Sequence, residues 1–217
     1  MEVPSKYQAY YQLAKGLYQT GPAHDFSHIE RVFNLALKIG KAEGADLWIL
    51  GLAALFHDLA REEEARSGGK ICHAEASAFQ TQGILEAQGE EPQTIQAICE
   101  CIATHRYRDQ NQPWTLEGKC LFDADKLDSL GAVGIARAYL WLGERGGTVY
   151  KRREEWEKTD FNSNRPEDDS LQREWHLKFR HLKDQLYTNT ARGIAAKRNR
   201  TMSDFLETLE REINGEE

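Results

Sequence analysis

Apolar residues recur along most of the chain at the three- and four-residue spacing of amphipathic helices. Ile29, Val32 and Phe33, for example, fall on one face of a helix predicted to begin near Ile29. Similar patterns predict helices over residues 6–19, 45–64, 73–89, 92–105, about 117–143, about 171–194 and 201–213. No segment alternates apolar and polar positions over the length of a strand. The sequence therefore predicts an all-α protein.

The segment 45–64 differs from the others because it is apolar nearly all round before it becomes charged. This pattern is typical of a buried, central helix. His57 and Asp58 are adjacent in it, and burying an imidazole and a carboxylate is costly unless both are satisfied. A divalent cation would satisfy both groups. The alternative is a neutral core histidine beside a salt-bridged aspartate.

A second polar cluster interrupts an apolar helix further along the chain. Asp123, Asp125 and Asp128 lie within six residues of one another among leucine, alanine and phenylalanine. Carboxylates this close on a buried helix repel one another unless a cation is present. Sequence physics alone does not separate Asp123 from Asp125 as a metal ligand.

Composition narrows the class of protein. The 217 residues, of which 40% are hydrophobic, suit one globular domain, and no apolar run is long enough to cross a bilayer. The first residues lack the pattern of a signal peptide, so we expect a cytoplasmic protein with reduced cysteines. Its four cysteines form no CxxC pair, which argues against a zinc ribbon. The net charge of -7 argues against binding to a nucleic acid polymer.

Three sequence blocks resemble a known family. HDFSHIERV at residues 24–32, FHDLA at 56–60 and DADKLDSLGAVGIAR at 123–137 are similar to the HD-domain metal-dependent phosphohydrolases. The blocks are most similar to a bacterial subgroup of small HD hydrolases associated with nucleotide phosphates, and the similarity spans roughly residues 20–210. The resemblance implies an HD-domain helical bundle over residues 1–217 as one compact domain. Its core would lie at about 20–142, with C-terminal helices at about 171–213 packed on it.

The resemblance also implies a metal site. Matched position by position, the metal ligands are His28, His57, Asp58 and Asp125. Asp125 takes the place of the family's last ligand, whereas His24 and Asp25 are left as loop residues before His28. Two imidazoles and two carboxylates suit a divalent ion. We expect Mn²⁺ or Mg²⁺, with Fe²⁺, Co²⁺, Ni²⁺ or Zn²⁺ as alternatives.

Further roles follow from position relative to these ligands. The predicted catalytic residues are Asp58, Glu62 and His105. The predicted substrate-binding residues are Arg61, His73, His105 and Lys126. In one continuous helix Glu62 would lie one turn beyond Asp58, where it could orient the attacking water.

These roles have structural alternatives. His73 and His105 could be helix-end histidines satisfied by caps, Lys126 could form a structural salt bridge, and Arg61 stands where some relatives carry an acidic residue. Arg137 would lie about 18 Å from Asp125 along one straight helix, so we expect it to form a fold-stabilising ion pair.

The function that these features predict is hydrolysis of a phosphoester or phosphoanhydride in a small metabolite, with a nucleotide as the favoured substrate. One alternative is an HD-fold di-iron oxygenase, for which His73 and His105 would supply the additional ligands. Another is a non-catalytic nucleotide-binding regulatory module. We expect a small phosphorylated partner, no membrane association, and a monomer or homodimer.

Overall fold

The computed structural model describes residues 3–18, 26–106, 111–160, 163 and 165–216. Every regular element in these ranges is helical, so the prediction of an all-α protein is confirmed. The α-helices are α1 (Gln8–Leu17), α2 (Phe26–Glu43), α3 (Leu47–Phe56), α4 (Arg61–Arg66), α5 (His73–Ala87), α6 (Pro92–Ala103), α7 (Leu116–Leu127), α8 (Gly131–Glu144), α9 (Arg153–Trp156), α10 (Leu171–Leu177) and α11 (Asn189–Asn214). Short 3-10 helices span Ser5–Tyr7, Pro166–Asp168 and Phe179–Gln185.

The chain forms two compact units, Met1–Asp125 and Lys126–Glu217. In the first unit α3 is central, because it packs against α1, α2, α5 and α6. Its residues from Leu50 to Phe56 are buried, as its apolar sequence predicts. In the second unit α8 packs against α10 and α11. None of the helices described in either unit is long and apolar enough to cross a membrane.

The prediction of one continuous helix over residues 45–64 was wrong. The Asp46 side chain caps the start of α3 by accepting from two backbone N–H groups, but α3 ends at Phe56 and residues 57–60 form turns. The chain becomes helical again only at Arg61, where α4 begins. The break sets His57 and Asp58 at the buried end of α3. Helical spacing counted from Asp58 therefore does not give the positions of residues on α4.

The helix predicted over about 117–143 is also two helices. Gly131 has a left-handed backbone, with a φ of 74°, so the chain turns between α7 and α8 instead of continuing straight. Arg137 lies 2.7 Å from Asp128 across this turn. The predicted ion pair of Arg137 is therefore confirmed, although the straight helix assumed for it was wrong.

The C-terminal helices also differ from the predicted pattern. The segment predicted as one helix over about 171–194 contains α10, a 3-10 helix and the start of α11. Thr188 caps α11 by accepting from the Ala191 N–H group, and the helix then continues unbroken to Asn214. No separate helix begins near residue 201.

Candidate metal centre

Six side chains from five segments of the first unit come together at the end of α3. They are His28 on α2, His57 and Asp58 in the turns after α3, His73 at the start of α5, His105 just after α6, and Asp125 on α7. All four histidines are at least 95% buried. The end of α3 thus contributes two titratable side chains to the cluster, and the ends of four other helices contribute one each. His24 and Asp25 lie outside the described residues.

The Asp58 carboxylate lies between two pairs of imidazoles. Its Oδ2 atom is 3.7 Å from His28 Nε2 and 3.9 Å from His57 Nε2. Its Oδ1 atom is 3.4 Å from His73 Nε2 and 3.5 Å from His105 Nε2. Each carboxylate oxygen therefore faces a different pair of histidines.

Hydrogen bonds to backbone carbonyls fix the tautomers of two of these histidines. His57 Nδ1 lies 2.9 Å from the Ala54 carbonyl oxygen, and His105 Nδ1 lies 2.6 Å from that of Ile102. Because a carbonyl oxygen only accepts, both Nδ1 atoms carry the hydrogen. Both Nε2 atoms consequently present lone pairs to the cluster.

The Nε2 atom of His57 provides a direct test of whether a metal fits. It is buried and has no hydrogen-bond partner within the described residues. Such an orphaned acceptor costs about 1–3 kcal/mol. A cation at this point would satisfy it, so the residues present fit a bound metal.

Burial also sets the charge state of the cluster. Desolvation lowers the pKa of His57 to about 4 and that of His73 to about 4. Burial by itself would raise the pKa of Asp58, but the imidazoles of His57, His105 and His28 lower it well below its usual value. At neutral pH the two imidazoles are neutral and the carboxylate is ionised, which is the state that binds metal.

The structure brings together the four residues predicted as ligands. Ligand atoms of His28, His57 and Asp125 lie within 4.8 Å of one another, and Asp125 Oδ1 is 3.5 Å from His28 Nε2. Asp123, the alternative that the sequence left open, is fully buried in α7. A mixed set of imidazole and carboxylate donors is open to several divalent metals.

The residues predicted for catalysis and substrate binding are placed differently. Glu62 is 47% exposed and pairs with Arg66, so its placement does not support a role in orienting water at the cluster. The acidic residue of α4 that faces the cluster is Glu64, whose Oε2 lies 2.8 Å from His73 Nδ1. Lys126 is half-buried on α7, and its substrate role stays a prediction.

Sequence reasoning missed both Glu64 and Arg106. Arg106 Nη2 lies 2.6 Å from Glu64 Oε1, so the two form an ion pair behind His73. Glu64 stands in a run of three glutamates, and periodicity could single it out only if the start of α4 were known. Arg106 directly follows His105, and this adjacency could have indicated that it lies beside the cluster.

Comparisons with known proteins identify the family of this chain. The HD domain family model matches residues 25–130, which contain all six side chains of the cluster. A curated relative, the uncharacterized protein YpgQ of Bacillus subtilis strain 168, is 33% identical over 196 residues, which cover 88% of this chain and 85% of YpgQ. The chain belongs to the HD-domain superfamily.

Solved structures extend the comparison over nearly the whole chain. A crystal structure of Bacillus subtilis YpgQ in complex with ADP has a TM-score of 0.74 and 29% identity, and the match covers 96% of this chain and 98% of that one. An HD-superfamily hydrolase from Bacillus thuringiensis has a TM-score of 0.73 and 27% identity, with 96% and 97% covered. These similarities indicate a hydrolase.

Proposed function

We propose that the protein is a metal-dependent phosphohydrolase that cleaves a phosphoester or phosphoanhydride bond of a small metabolite, with nucleotides as the favoured substrate class. The observation that carries the proposal is the buried set of lone pairs around Asp58, with the orphaned Nε2 of His57 among them. The complex of the relative YpgQ with ADP supports a nucleotide.

In this proposal four side chains hold the metal: His28, His57, Asp58 and Asp125. A bound divalent ion would lower the pKa of a water molecule and polarise a phosphoryl oxygen. The protein's contribution is to hold the ligands in place, since His57 is fixed by the Ala54 carbonyl. The burial of the cluster strengthens every charge interaction inside it.

The remaining polar side chains are proposed to handle protons and substrate charge. His105 Nε2 carries a lone pair 3.5 Å from Asp58 Oδ1, so it can accept a proton from an attacking water. Arg61 keeps 39% of its side chain exposed and can bind a phosphate oxygen. Lys126 is proposed as a second cation for the substrate.

The test is a substrate screen on chelated and reconstituted protein. Nucleoside mono-, di- and triphosphates and cyclic nucleotides are incubated with Mn²⁺, Mg²⁺, Co²⁺ or Ni²⁺, and released phosphate and pyrophosphate are measured. We expect His57→Ala and Asp125→Ala to abolish turnover, because each removes a metal ligand. His181→Ala, at an exposed position of the second unit, is the matched control and should keep full activity. Activity retained in either ligand variant contradicts the mechanism.

One observation favours the di-iron oxygenase as a second candidate. His73 and His105 face Asp58 Oδ1, whereas His28 and His57 face Oδ2, so the cluster has enough donors to hold two ions, with His73 and His105 as the additional ligands. Two irons per chain by elemental analysis, together with substrate-dependent oxygen consumption, would establish this function. A single non-redox metal with phosphate release excludes it.

A further inference from the structure

A buried acid lies behind His73, on the side away from Asp58. Glu64 is only 9% exposed, and its Oε2 atom lies 2.8 Å from His73 Nδ1. The opposite ring nitrogen, His73 Nε2, is 3.4 Å from Asp58 Oδ1 and 3.3 Å from His105 Nε2. His73 therefore connects Glu64 to the cluster.

The contact with Glu64 determines which nitrogen of His73 carries the hydrogen. A carboxylate oxygen only accepts, so the 2.8 Å contact places the hydrogen on Nδ1, in preference to the longer contacts of Nε2 with Asp58 Oδ1 and His105 Nε2. The Nε2 atom then keeps a lone pair that faces these two acceptors, and a cation among them would satisfy all three. Arg61 does not oppose this assignment. Its Nη1 atom is 3.2 Å from Nδ1 and 3.3 Å from Nε2. Because it is almost equidistant from the two nitrogens, it lies over the face of the ring and bonds to neither in the ring plane.

Arg106 holds Glu64 in this orientation. Its Nη2 atom lies 2.6 Å from Glu64 Oε1, so charge attraction holds this oxygen while Oε2 faces His73, although the contact lacks hydrogen-bond angles and Oε1 accepts no hydrogen bond among the described residues. Rotation of the carboxylate away from His73 would break both contacts. The pair therefore supplies a fixed acceptor behind the imidazole.

We propose that Glu64, held by Arg106, is a positioning residue that fixes His73 in the Nδ1–H tautomer and aims its Nε2 lone pair at the space beside Asp58 Oδ1. Without Glu64 the hydrogen would move to Nε2, because Nε2–H could then donate to Asp58 Oδ1. That bond would use a lone pair of the metal-binding carboxylate. The catalytic consequence rests on the proposed phosphohydrolase function, whereas the tautomer does not.

The first measurement is the tautomer of His73 in metal-free protein with ¹⁵N-labelled histidine, from long-range ¹H–¹⁵N spectra at pH 7. The His73 signals are identified by their absence in His73→Asn. We expect an unprotonated Nε2 in the unsubstituted protein and a shift towards Nε2–H in Glu64→Met, which removes both acceptor oxygens at similar volume. Glu64→Gln should retain the Nδ1–H tautomer in part, since its amide oxygen can still accept.

Matched variants serve as controls for this measurement. Glu63→Met makes the same substitution at the exposed neighbouring position of α4 and should leave the tautomer unchanged. If Glu64→Met fails to fold, Arg106→Met and Glu64→Gln give the same comparison with one contact removed. A His73 that stays Nδ1–H in Glu64→Met, or that is Nε2–H in the unsubstituted protein, overturns the proposal.

The second measurement is turnover of a hydrolysed nucleotide by metal-loaded enzyme. We expect Glu64→Met to lower kcat/KM by about 10–100-fold, the usual cost of losing a residue that orients a group at a metal site. Because Glu64 acts through His73, the double variant should be no slower than His73→Asn alone. Additive losses would contradict the proposal. If the unsubstituted enzyme hydrolyses no nucleotide, the proposed function fails, and the tautomer still decides the role of Glu64.

Discussion

At the scale of single residues, Asp58 is the central side chain of the candidate metal centre. Its two oxygens face different pairs of imidazoles, and at least His57 and His105 present lone pairs to it. The carboxylate oxygens and these imidazole nitrogens are all acceptors, so the arrangement requires a cation between them. An amide of the same shape would donate an N–H group directly to one pair of imidazoles and would carry no charge to hold a cation.

The substitution Asp58→Asn tests this requirement. We expect it to weaken Mn²⁺ binding by more than the roughly 10–100-fold loss caused by removing an outer partner of a ligand, because it removes the charge and one acceptor. Titration calorimetry on chelated protein measures the affinity. Asp184→Asn, at an exposed position of the second unit, should bind as before, and near-normal affinity in Asp58→Asn would exclude Asp58 as a ligand.

The ion pair between Arg137 and Asp128 leads to a second prediction at this scale. Asp128 is 1% exposed and Arg137 25% exposed, so Arg137→Met removes a charged partner from a buried carboxylate. We expect the free energy of unfolding to fall by about 1–3 kcal/mol, measured by urea denaturation. Arg153→Met removes a solvent-exposed pair with Glu157 and should cost much less. Equal effects of the two substitutions would show that burial does not strengthen the pair.

At the scale of elements, amphipathic spacing predicted most of the helices because burial of one face is what stabilises them. It did not predict where α3 ends. His57 and Asp58 turn out of the helix to reach a polar cluster formed by residues far apart in the sequence, and no local pattern carries that information. The error extended to Glu62, which was placed by counting from Asp58 along an unbroken helix.

The residues that the structure brings together in the candidate metal centre, in contrast, were accessible from the sequence. Polar side chains inside apolar segments, at His57, Asp58 and Asp125, indicate buried chemistry wherever they occur. The resemblance to the HD family then selected Asp125 over Asp123, which periodicity could not do. Glu64 could not be predicted from the sequence, since its contact with His73 depends on the packing of α4 against α5.

The turn between α7 and α8 gives a prediction at the scale of elements. Gly131 has a φ of 74°, and a Cβ atom there would lie 3.0 Å from Arg198 Cγ. We expect Gly131→Ala to lower the free energy of unfolding by at least the roughly 1–2 kcal/mol that a left-handed backbone costs an L residue. Gly143→Ala in the same helix meets no atom within 4 Å and should be neutral or slightly stabilising. Thermal denaturation of both variants measures the difference, and a neutral Gly131→Ala contradicts the assignment of this turn.

At the scale of the whole molecule, metal binding should be coupled to stability. A ligand that binds only the folded chain stabilises it by about 2.7 kcal/mol when its concentration is 100 times its Kd. We therefore expect Mn²⁺ to raise the Tm of chelated protein and EDTA to reverse the rise. In Asp58→Asn the same addition should leave the Tm unchanged. An equal rise in that variant would place the ion elsewhere on the molecule.

The net charge of the whole molecule, -7, affects how it would attract the proposed substrate. It repels an anionic substrate, so the attraction must come from local cations such as Arg61. Neutralising Arg61 by Arg61→Met should raise KM more than it lowers kcat if the side chain binds substrate. A changed kcat with an unchanged KM, from steady-state kinetics, would argue against that role.

If the cluster binds a metal as proposed, the lone pairs around Asp58 would make the metal-free protein bind several divalent cations. Burial lowers the pKa of His57 and of His73 to about 4, so these two imidazoles are neutral at physiological pH and would bind a transition metal supplied by the host cell or the purification column. The general order of divalent affinities places Mn²⁺ below Fe²⁺, Co²⁺, Ni²⁺ and Zn²⁺, so a scarce but tighter-binding ion can displace the working one. The metal found in freshly purified protein will therefore reflect supply, and the working metal has to be identified by stripping the protein and comparing turnover after each ion is restored.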